Sequence, residues 1–203
     1  MSQKQSDQPR APKLPELWVL RHGETEWNRA GRLQGQLDSP LTQTGMAQAR
    51  AQGRILMRFG LPSGTSLVTS PAGRARRTTE IVNEPLGLEL QIDAALVEIN
   101  MGIWQGETVT SLSNAHPGLP IENDPNLWKF EAPEGERLQD MTARVRKALN
   151  RLQGPTVIVT HGVTSRLLRC VALGLNPEAL SSLPGGQGIV HHVKDGKATV
   201  LTT

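Results

Sequence analysis

The segment ELWVLRHGETEWN, residues 16–28, joins an apolar run to a cluster of charged and polar side chains. Its apolar half predicts a short buried strand that ends at Arg21 and His22. A fixed positive charge beside an imidazole disfavours protonation of that imidazole. The segment therefore predicts a neutral histidine next to a permanent cation at the end of a strand.

Two more apolar runs further along the chain also end on polar side chains. PTVIVTH (155–161) predicts a buried strand that ends at His161, and TSLVTS (65–70) predicts one that ends at Ser70. Pro71 occupies the position of a first-turn proline in the helix that follows. The periodic pattern predicts helices at about 42–58, 71–84, 137–152 and 163–173.

Two weaker signals complete the expected sheet. LELQI (88–92) predicts a further strand, and GIVHHVKDGKATVLTT (188–203) predicts a hairpin that turns at Asp195 and Gly196. Residues 23–41 are expected to form a loop. Because strands alternate with helices, the sheet should be mostly parallel and covered on both faces.

The length of 203 residues suits one domain of this kind. The sequence thus predicts an α/β fold, a single-domain three-layer sandwich with a mostly parallel sheet, over residues 15–203. A flexible polar arm is expected at residues 1–14. Between about 100 and 135 the periodicity fails, which is typical of a binding loop or lid.

The composition excludes several classes of protein. With no Tyr, four Trp and two Phe, the chain lacks the aromatic platforms that bind single-stranded nucleic acid, and its net charge of +3 includes no basic run. We therefore expect no nucleic-acid partner. No stretch reaches the roughly 18 apolar residues that span a bilayer, so we expect no membrane partner either. The N-terminus lacks the apolar core of a secretory signal, which favours a cytoplasmic protein. The single Cys170 excludes an internal disulfide and is expected to be a buried, inert thiol.

The predicted strand ends indicate a common site. In open parallel sheets, ligands bind in the crevice outside the carboxyl ends of the strands. The side chains expected to converge there are Arg21, His22, Arg74 and His161. Two arginines match a phosphomonoester, which carries about −1.5 to −2 charges at neutral pH. A neutral imidazole is a nucleophile, so attack of His22 on phosphorus would give a phosphohistidine.

The leaving oxygen of such a reaction needs a proton. Glu98, in ALVEINMGIWQG (95–106), is the best candidate, because a partly buried carboxyl can have a raised pKa and act first as acid and then as base. Glu107 and Glu24 are the alternatives. No metal is expected, since the arginines supply the positive charge that magnesium provides elsewhere.

A series of motifs follows the same course along the chain: LRHGETEWN, GRLQGQLDSPLTQTGMAQA, VTSPAGRARRTTEI, LVEINMGIWQG, APEGERLQDMTARV and VIVTHGVTSRLL. In this order they resemble the motifs of the histidine phosphatase superfamily, the phosphoglycerate mutase-like proteins. The resemblance covers the chain from about Leu17 to Leu173. It implies a phosphohistidine mechanism with His22 as the nucleophile and Glu98 as the proton donor. It also implies a phosphate pocket that consists of Arg21, Arg74, His161 and Asn28.

The substrate contacts are less well defined. Gln34 matches a position near the substrate in the family, and we also expect Gly35 and Trp104 to contact the substrate, with packing under a lid as the alternative role for Trp104. Asn100 stands where a basic or aromatic residue would help to hold a substrate. The expected partner is a small phosphorylated metabolite, such as a phosphoglycerate, a sugar phosphate or a nucleotide-like phosphate such as α-ribazole phosphate. The chain is expected to be a monomer or a homodimer.

Phosphatases and mutases of this family share the first half-reaction and differ in the acceptor of the phosphoryl group. Only about 38 residues separate Glu98 from Arg137, whereas the mutases that resemble this chain carry a larger insertion there. PEGERLQD (133–140) also resembles the PGGES segment of the small phosphatases, with Arg137 where Ser is usual. These features favour a small phosphatase without a cofactor.

Three alternatives remain. The first is a phosphoglycerate mutase, which would need a 2,3-bisphosphoglycerate primer. The second is a regulator that binds phosphate without turnover. The third, a metallohydrolase that uses His22, His161 and a carboxylate, is weakly supported because the chain has no HExxH motif and no dense cluster of His and Asp. The His191-His192 pair alternates across a strand and cannot chelate one metal from the same face, so it is expected to be structural.

Overall fold

The computed structural model describes residues 14–203, so the predicted arm at 1–14 lies outside the described residues apart from Leu14. The strands are β1 (Leu17–Arg21), β2 (Ser66–Thr69), β3 (Leu90–Ile92), β4 (Thr156–Thr160), β5 (Val190–Lys194) and β6 (Lys197–Leu201). The α-helices are α1 (Glu26–Arg29), α2 (Gln43–Phe59), α3 (Gly73–Asn83), α4 (Val109–Ala115), α5 (Leu138–Asn150) and α6 (Gly162–Ala172). Across residues 14–203, no helix is both long and apolar enough to cross a membrane.

The six strands form one sheet in the order β3-β2-β4-β1-β5-β6. β1 and β2 both pair with β4 in parallel, and β3 pairs in parallel with β2. β5 and β6 complete the sheet as an antiparallel hairpin. Its turn residues, Asp195 and Gly196, have the positive φ angles of 49° and 70° that a two-residue hairpin turn requires. The prediction of a mostly parallel sheet is confirmed.

Helices cover both faces of this sheet, because its central strands are apolar on both sides. Trp18 and Leu20 of β1 are fully buried in a cluster with residues of α2 and α3. Leu17 and Val19, which point to the opposite face, are fully buried in a second cluster with residues of α5 and α6. Alternation along one strand thus supplies both halves of the core. The predicted three-layer α/β sandwich is confirmed.

The start of α3 differs from the prediction. Pro71 lies before the helix rather than in its first turn, since α3 begins at Gly73 and its N-cap residue, Ala72, offers no side-chain hydrogen bond. The Asp38 carboxylate takes the role of a cap and accepts from the Arg74 amide at 3.3 Å. A helix start that is capped by a residue distant in sequence has no local signal.

The segment from 100 to 135 is more regular than predicted. It contains α4 and two short 3₁₀ helices, Gly102–Trp104 and Leu127–Glu131. Thr108 caps α4 by accepting from the Ser111 amide at 3.0 Å. Helices of three to seven residues are too short to show a periodic pattern, which explains why the sequence indicated only a loop. For the same reason, the sequence did not predict the four-residue helix α1, and residues 23–41 were expected to form only a loop.

The first turn of α2 packs directly against the segment that follows His22. A Cβ atom built on Gly45 would lie 2.0 Å from the Glu24 carbonyl oxygen, and one built on Gly23 would lie 2.2 Å from the Gly45 carbonyl oxygen. Both contacts involve backbone atoms, which cannot move without displacing a whole segment. The two glycines therefore allow α2 to fix the position of the loop that follows β1.

This contact yields a prediction for Gly45→Ala. Alanine would gain about 1 kcal/mol in helix propensity. Overpacking costs about 1–3 kcal/mol, and a 2.0 Å approach to a backbone oxygen places the cost at the upper end, so we expect a net loss of about 2 kcal/mol in the free energy of unfolding. Urea denaturation measures this change. The matched control is Gly154→Ala, because a Cβ at Gly154 meets no atom within 4 Å. Equal stability of the two variants would contradict the packing described above.

Candidate active site

A cleft of about 280 Å³ opens at the carboxyl ends of the parallel strands. Seven of the predicted site residues line it: Arg21, His22, Asn28, Gln34, Gly35, Arg74 and Glu98. A larger surface depression of about 1060 Å³ runs beside α5, and within residues 14–203 no His or Cys side chain lines it. The cleft at the strand ends is therefore the candidate active site.

His22 lies at the centre of this cleft and is 3 % exposed. Its Nδ1 lies 2.7 Å from the Gly23 carbonyl oxygen, so this nitrogen carries the proton and donates it. The lone pair is consequently on Nε2, which accepts from Nε of Arg74 at 3.3 Å. The nucleophilic Nε2 is thus held beside the Arg74 guanidinium, which can bind an anion placed next to this nitrogen.

His161 occupies the corresponding position at the end of β4. Its ring centroid lies 5.2 Å from that of His22. Nε2 lies 2.7 Å from Oγ of Ser70 at the end of β2. Nδ1 is buried without a hydrogen-bond partner in the described part of the chain. The two histidines and Ser70 therefore meet at one edge of the sheet, as their predicted strand ends required.

Both histidines are held in the neutral form. Burial lowers the pKa of His22 well below its usual value, and the charges of His161, Arg21 and Arg74 lower it further, against a smaller opposing effect of the Gly23 carbonyl. Burial likewise lowers the pKa of His161 well below its usual value, with Arg74, Arg21 and Arg144 as additional causes. A neutral His22 is available as a nucleophile at and below neutral pH.

Arg74 is 2 % exposed and is fixed by the protein on several sides. Its Nη2 donates to the Gly35 carbonyl at 2.7 Å, and its Nη1 donates to the Leu37 carbonyl at 2.6 Å and to Asp38 Oδ1 at 2.9 Å. Gly35 thus has a definite role through its backbone, which is to orient this guanidinium. Gly35 also lines the cleft, so its position is compatible with the predicted substrate contact.

Arg21 presents the opposite case, because its guanidinium has no hydrogen-bond partner among residues 14–203, and its Nε atom is buried. Burial lowers the pKa of Arg21, and the charges of Arg166 and Arg74 lower it further, whereas the negative charge of Glu98 acts in the opposite direction. At any working pH an arginine remains charged. A buried guanidinium with unused donors is suited to an anionic ligand.

Asn28 and Gln34 also face the cleft. Asn28 Oδ1 accepts from the Thr25 amide at 3.3 Å and from Gln187 Nε2 at 3.2 Å, so its NH₂ group is left to donate to a ligand. Gln34 is 6 % exposed, and its Oε1 has no partner within the described residues. Both positions are compatible with the predicted contacts to phosphate and substrate.

The predicted raised pKa of Glu98 is wrong. Burial acts to raise the pKa, but hydrogen bonds outweigh it and hold the pKa below its usual value. Oε2 accepts from the Val163 amide at 3.0 Å, and Oε1 accepts from the Thr164 amide and hydroxyl at 3.0 and 2.9 Å and from the Ile99 amide at 3.1 Å. The carboxylate therefore sits on the N-terminus of α6, where negative charge is favoured. Glu98 lines the cleft as an ionised group.

The other candidate carboxylates lie outside this cleft. Glu24 Oε1 accepts from the Thr42 hydroxyl at 2.7 Å and belongs to the start of α2. Glu107 Oε2 accepts from the Ser111 hydroxyl at 3.0 Å. Among the residues described, Glu98 is the only carboxylate that lines the cleft.

Trp104 is placed differently from the prediction of a substrate contact. It is 4 % exposed and packs in the core against Trp128, with ring centroids 5.8 Å apart. It is absent from the cleft lining that residues 14–203 provide. The aromatic side chains of this segment attach it to the sheet rather than to a ligand, which supports the packing alternative.

Other cleft residues were missed by the sequence analysis: Arg32, Asn126, Lys129 and Arg166. Lys129 lies in the segment without periodicity, so nothing in the sequence connected it to the site. Arg166 follows Gly162 by four residues and so shares a face of α6 with the helix start. That spacing was the available signal for Arg166.

The described residues contain no group of three or more His, Cys, Asp or Glu side chains arranged to hold a metal ion. His191 is 2 % exposed and lies near Arg169, whereas His192 Nε2 lies 2.6 Å from Glu16 Oε1. The two histidines thus point to opposite faces of β5. Cys170 is fully buried, and burial raises the pKa of its thiol.

Comparison with known proteins extends these observations. The model of the histidine phosphatase superfamily (branch 1) matches residues 17–200. A curated relative named "Probable phosphoglycerate mutase GpmB" from Photorhabdus laumondii is 34 % identical over 169 residues, which cover 81 % of this chain and 77 % of the relative. A relative of the same name from Klebsiella pneumoniae is 36 % identical over 165 residues, which cover 79 % of this chain and 75 % of the relative.

Two solved structures share the fold over most of both chains. The alpha-ribazole phosphatase from Shigella flexneri has a TM-score of 0.76 and 26 % identity, and the match covers 93 % of this chain and 96 % of that chain. A mycobacterial glucosyl-3-phosphoglycerate phosphatase, solved with VO3, has a TM-score of 0.77 and 28 % identity, with 93 % and 98 % covered. The resemblance predicted from the motifs is confirmed: the chain belongs to the histidine phosphatase superfamily.

Proposed function

We propose that this protein hydrolyses phosphomonoesters of a small metabolite through a phosphohistidine intermediate on His22. The observation that carries the proposal is the state of His22, whose Nε2 lone pair is directed to the arginine cluster while its Nδ1 donates to the Gly23 carbonyl. A buried, neutral imidazole between Arg21 and Arg74 combines a nucleophile with charges that match the phosphoryl oxygens.

In the first step, Nε2 of His22 attacks phosphorus, an N–P bond forms, and the bond from phosphorus to the ester oxygen breaks. Arg21 and Arg74 hold the equatorial oxygens. His161 is fully buried and lies next to His22, with ring centroids 5.2 Å apart, but it does not itself line the cleft that residues 14–203 form. Because these groups are held before substrate arrives, catalysis consists mainly of positioning and electrostatic stabilisation.

The departing oxygen takes its proton from Glu98, which is ionised in the free enzyme. A phosphomonoester has a second pKa near 6, so its monoanion can bring a proton into the cleft, and the neighbouring phosphate charge favours the protonated form of Glu98. After it has donated this proton, Glu98 is again a carboxylate. In the second step it accepts a proton from the water that attacks the phosphohistidine, and inorganic phosphate leaves.

We propose that hydrolysis needs no metal ion or other cofactor, since the arginines supply the positive charge. Hydrolysis is further supported by the two related phosphatases of known structure and by the open rim of the cleft, where Arg32 and Pro125 are exposed to water.

A phosphoglycerate mutase is the second candidate, because the curated relatives carry that name. It would pass the phosphoryl group to a second substrate oxygen instead of water and would require a phosphorylated primer.

Phosphate release from 4-nitrophenyl phosphate in excess EDTA tests the proposal. We expect release by the wild-type protein and a loss of roughly 10³-fold or more in His22→Ala. His116→Ala is the matched control, since His116 is exposed and does not line the cleft. Release that stops in EDTA, or that persists in His22→Ala, would overturn the phosphohistidine route. Binding of phosphate without release would indicate a regulator, and release only from primed phosphoglycerate would indicate a mutase.

The protonation states predict the pH dependence. Since the pKa of His22 lies well below its usual value, lowering the pH from 7.5 to 5.5 leaves the nucleophile neutral, while the proton-bearing phosphate monoanion becomes more abundant. We expect kcat/KM to rise several-fold over this range, as measured by initial rates at constant ionic strength. A fall in kcat/KM with a midpoint near pH 6.5 would show that the nucleophile titrates as an ordinary histidine.

A further inference from the structure

We propose that Gln187 is a positioning residue of the phosphate site, which fixes the side-chain amide of Asn28 as a hydrogen-bond donor and holds the backbone at the end of β1. Gln187 is absent from the cleft lining that residues 14–203 provide, so it acts through residues that do line the cleft. The inference rests on the proposed function, because it takes Asn28 as a donor to the bound phosphoryl group.

The end of β1 lacks part of the hydrogen-bond ladder that holds the rest of the strand. The antiparallel pairing of β1 with β5 ends at Val19. Beyond this point side-chain amides bind the backbone carbonyls. Gln52 Nε2 donates to the Arg21 carbonyl at 3.0 Å, and Gln187 Nε2 donates to the His22 carbonyl at 3.0 Å. The two glutamines therefore satisfy acceptors that the ladder with β5 does not reach.

The peptide bond between His22 and Gly23 is held from both sides. Gln187 binds its carbonyl, and its N–H group donates to Thr78 Oγ1 at 3.0 Å. The next carbonyl, that of Gly23, accepts from Nδ1 of the His22 ring. Because the ring is oriented by this short stretch of backbone, the hydrogen bond from Gln187 also contributes to the position of the nucleophile.

The same amide determines which group Asn28 presents to a ligand. An amide side chain carries an acceptor and a donor, and only the donor binds a phosphoryl oxygen. Since the His22 carbonyl can only accept, the group of Gln187 that faces it is NH₂, which also donates to Asn28 Oδ1 at 3.2 Å. The Thr25 amide binds the same oxygen at 3.3 Å. Asn28 is thereby held with its oxygen occupied and its NH₂ group free.

The backbone on both sides of Gln187 forms a tight turn. Gly186 and Gly188 have φ angles of 136° and 76°, which residues with a Cβ atom rarely adopt. Gln187 itself is partly buried between them. The turn therefore places a single long side chain where it reaches both His22 and Asn28.

Two arginines of α6 hold the start of this turn. Arg169 is fully buried, and its Nη2 donates to the Pro184 carbonyl at 2.7 Å. Nε of Arg166 donates to the Leu183 carbonyl at 3.2 Å. Burial lowers the pKa of Arg169 to about 10, so its guanidinium is still charged at neutral pH. Hydrogen bonds from charged donors are stronger than those between neutral groups, so the turn that carries Gln187 is firmly attached to α6.

Isothermal titration with inorganic phosphate at pH 7 tests this role without requiring turnover. Gln187→Met removes both donated hydrogen bonds at nearly constant side-chain length. We expect the Kd for phosphate to rise about tenfold, because Asn28 loses the contact that keeps its NH₂ group available to a charged ligand. The matched control is Gln153→Met, since Gln153 is exposed and lies just before β4, at the end of the strand opposite to the site. Its Kd should equal that of the wild-type protein.

A second variant keeps the shape of the side chain but reverses its hydrogen bonding. Gln187→Glu would direct acceptors towards the His22 carbonyl and Asn28 Oδ1, and its charge would repel phosphate. We expect weaker phosphate binding than in Gln187→Met. The thermal unfolding of each variant shows that the protein is folded. Wild-type affinity for phosphate in either folded variant would overturn the proposal.

A double-mutant cycle shows whether Gln187 acts through Asn28. If it does, the variant that combines Asn28→Ala with Gln187→Met should bind phosphate only slightly more weakly than Asn28→Ala alone. The remaining difference reports the contact with the His22 carbonyl. Losses of affinity that multiply in full would mean that Gln187 acts independently of Asn28, which would overturn the proposal.

The titrations also separate this inference from the proposed hydrolysis. Coupled losses of phosphate affinity in a protein that hydrolyses nothing would support the role of Gln187 and contradict the proposed function. Uncoupled losses in a protein that does hydrolyse phosphomonoesters through His22 would do the reverse. A wild-type protein that binds no phosphate would overturn both.

Discussion

The parallel pairing of β1 and β2 with the central strand β4 is the constraint on which the site depends. In this register Arg21 lies opposite Thr160, and Thr69 lies opposite Val159, so the three strands end at nearly the same level. This register brings together the residues just past the strand ends, which are His22, His161 and Ser70, although they lie far apart in the sequence. Packing of two apolar clusters on opposite faces holds the strands, and the site inherits its geometry from that core. Backbone contact between Gly23 and Gly45 then fixes the first loop beyond the sheet.

Electrostatics assigns different protonation states to groups that share one small volume. Burial and the arginine charges keep His22 neutral, whereas amide donors at the start of α6 keep Glu98 ionised. The backbone around Glu98 is held in turn by Arg144, which donates to the Ala95 and Val97 carbonyls at 2.7 and 2.9 Å and forms an ion pair with Glu136. The proposed reaction uses both states: Nε2 of His22 has a free lone pair for attack on phosphorus, and Glu98 must gain a proton from the bound phosphomonoester before it can donate one to the departing oxygen.

Much of this arrangement follows from local sequence patterns. Apolar runs that end in His22 and His161, and an arginine one turn into the helix after β2, were sufficient to predict that these side chains converge, because parallel strands end at a common edge. The protonation state of Glu98 was not predictable, since the amides that bind it lie 65 and 66 residues further along the chain. The sequence left Trp104 open between packing and substrate contact, because an aromatic residue in a three-residue helix has no pattern that separates core from cleft. Lys129 is a site residue by virtue of its tertiary position alone.

Hydrolysis through a covalent intermediate makes one physical demand above all, which is that phosphorus becomes bonded to Nε2 of His22. Rapid acid-free quenching of the wild-type protein with substrate, followed by intact mass spectrometry and peptide mapping, measures this bond directly. We expect a phosphorylated protein within the first turnover, with an acid-labile, base-stable phosphoryl group on the peptide that contains His22. A protein that releases phosphate in burst and steady state without ever carrying a phosphoryl group, or that carries it on another residue, would contradict the assignment of His22 as the nucleophile.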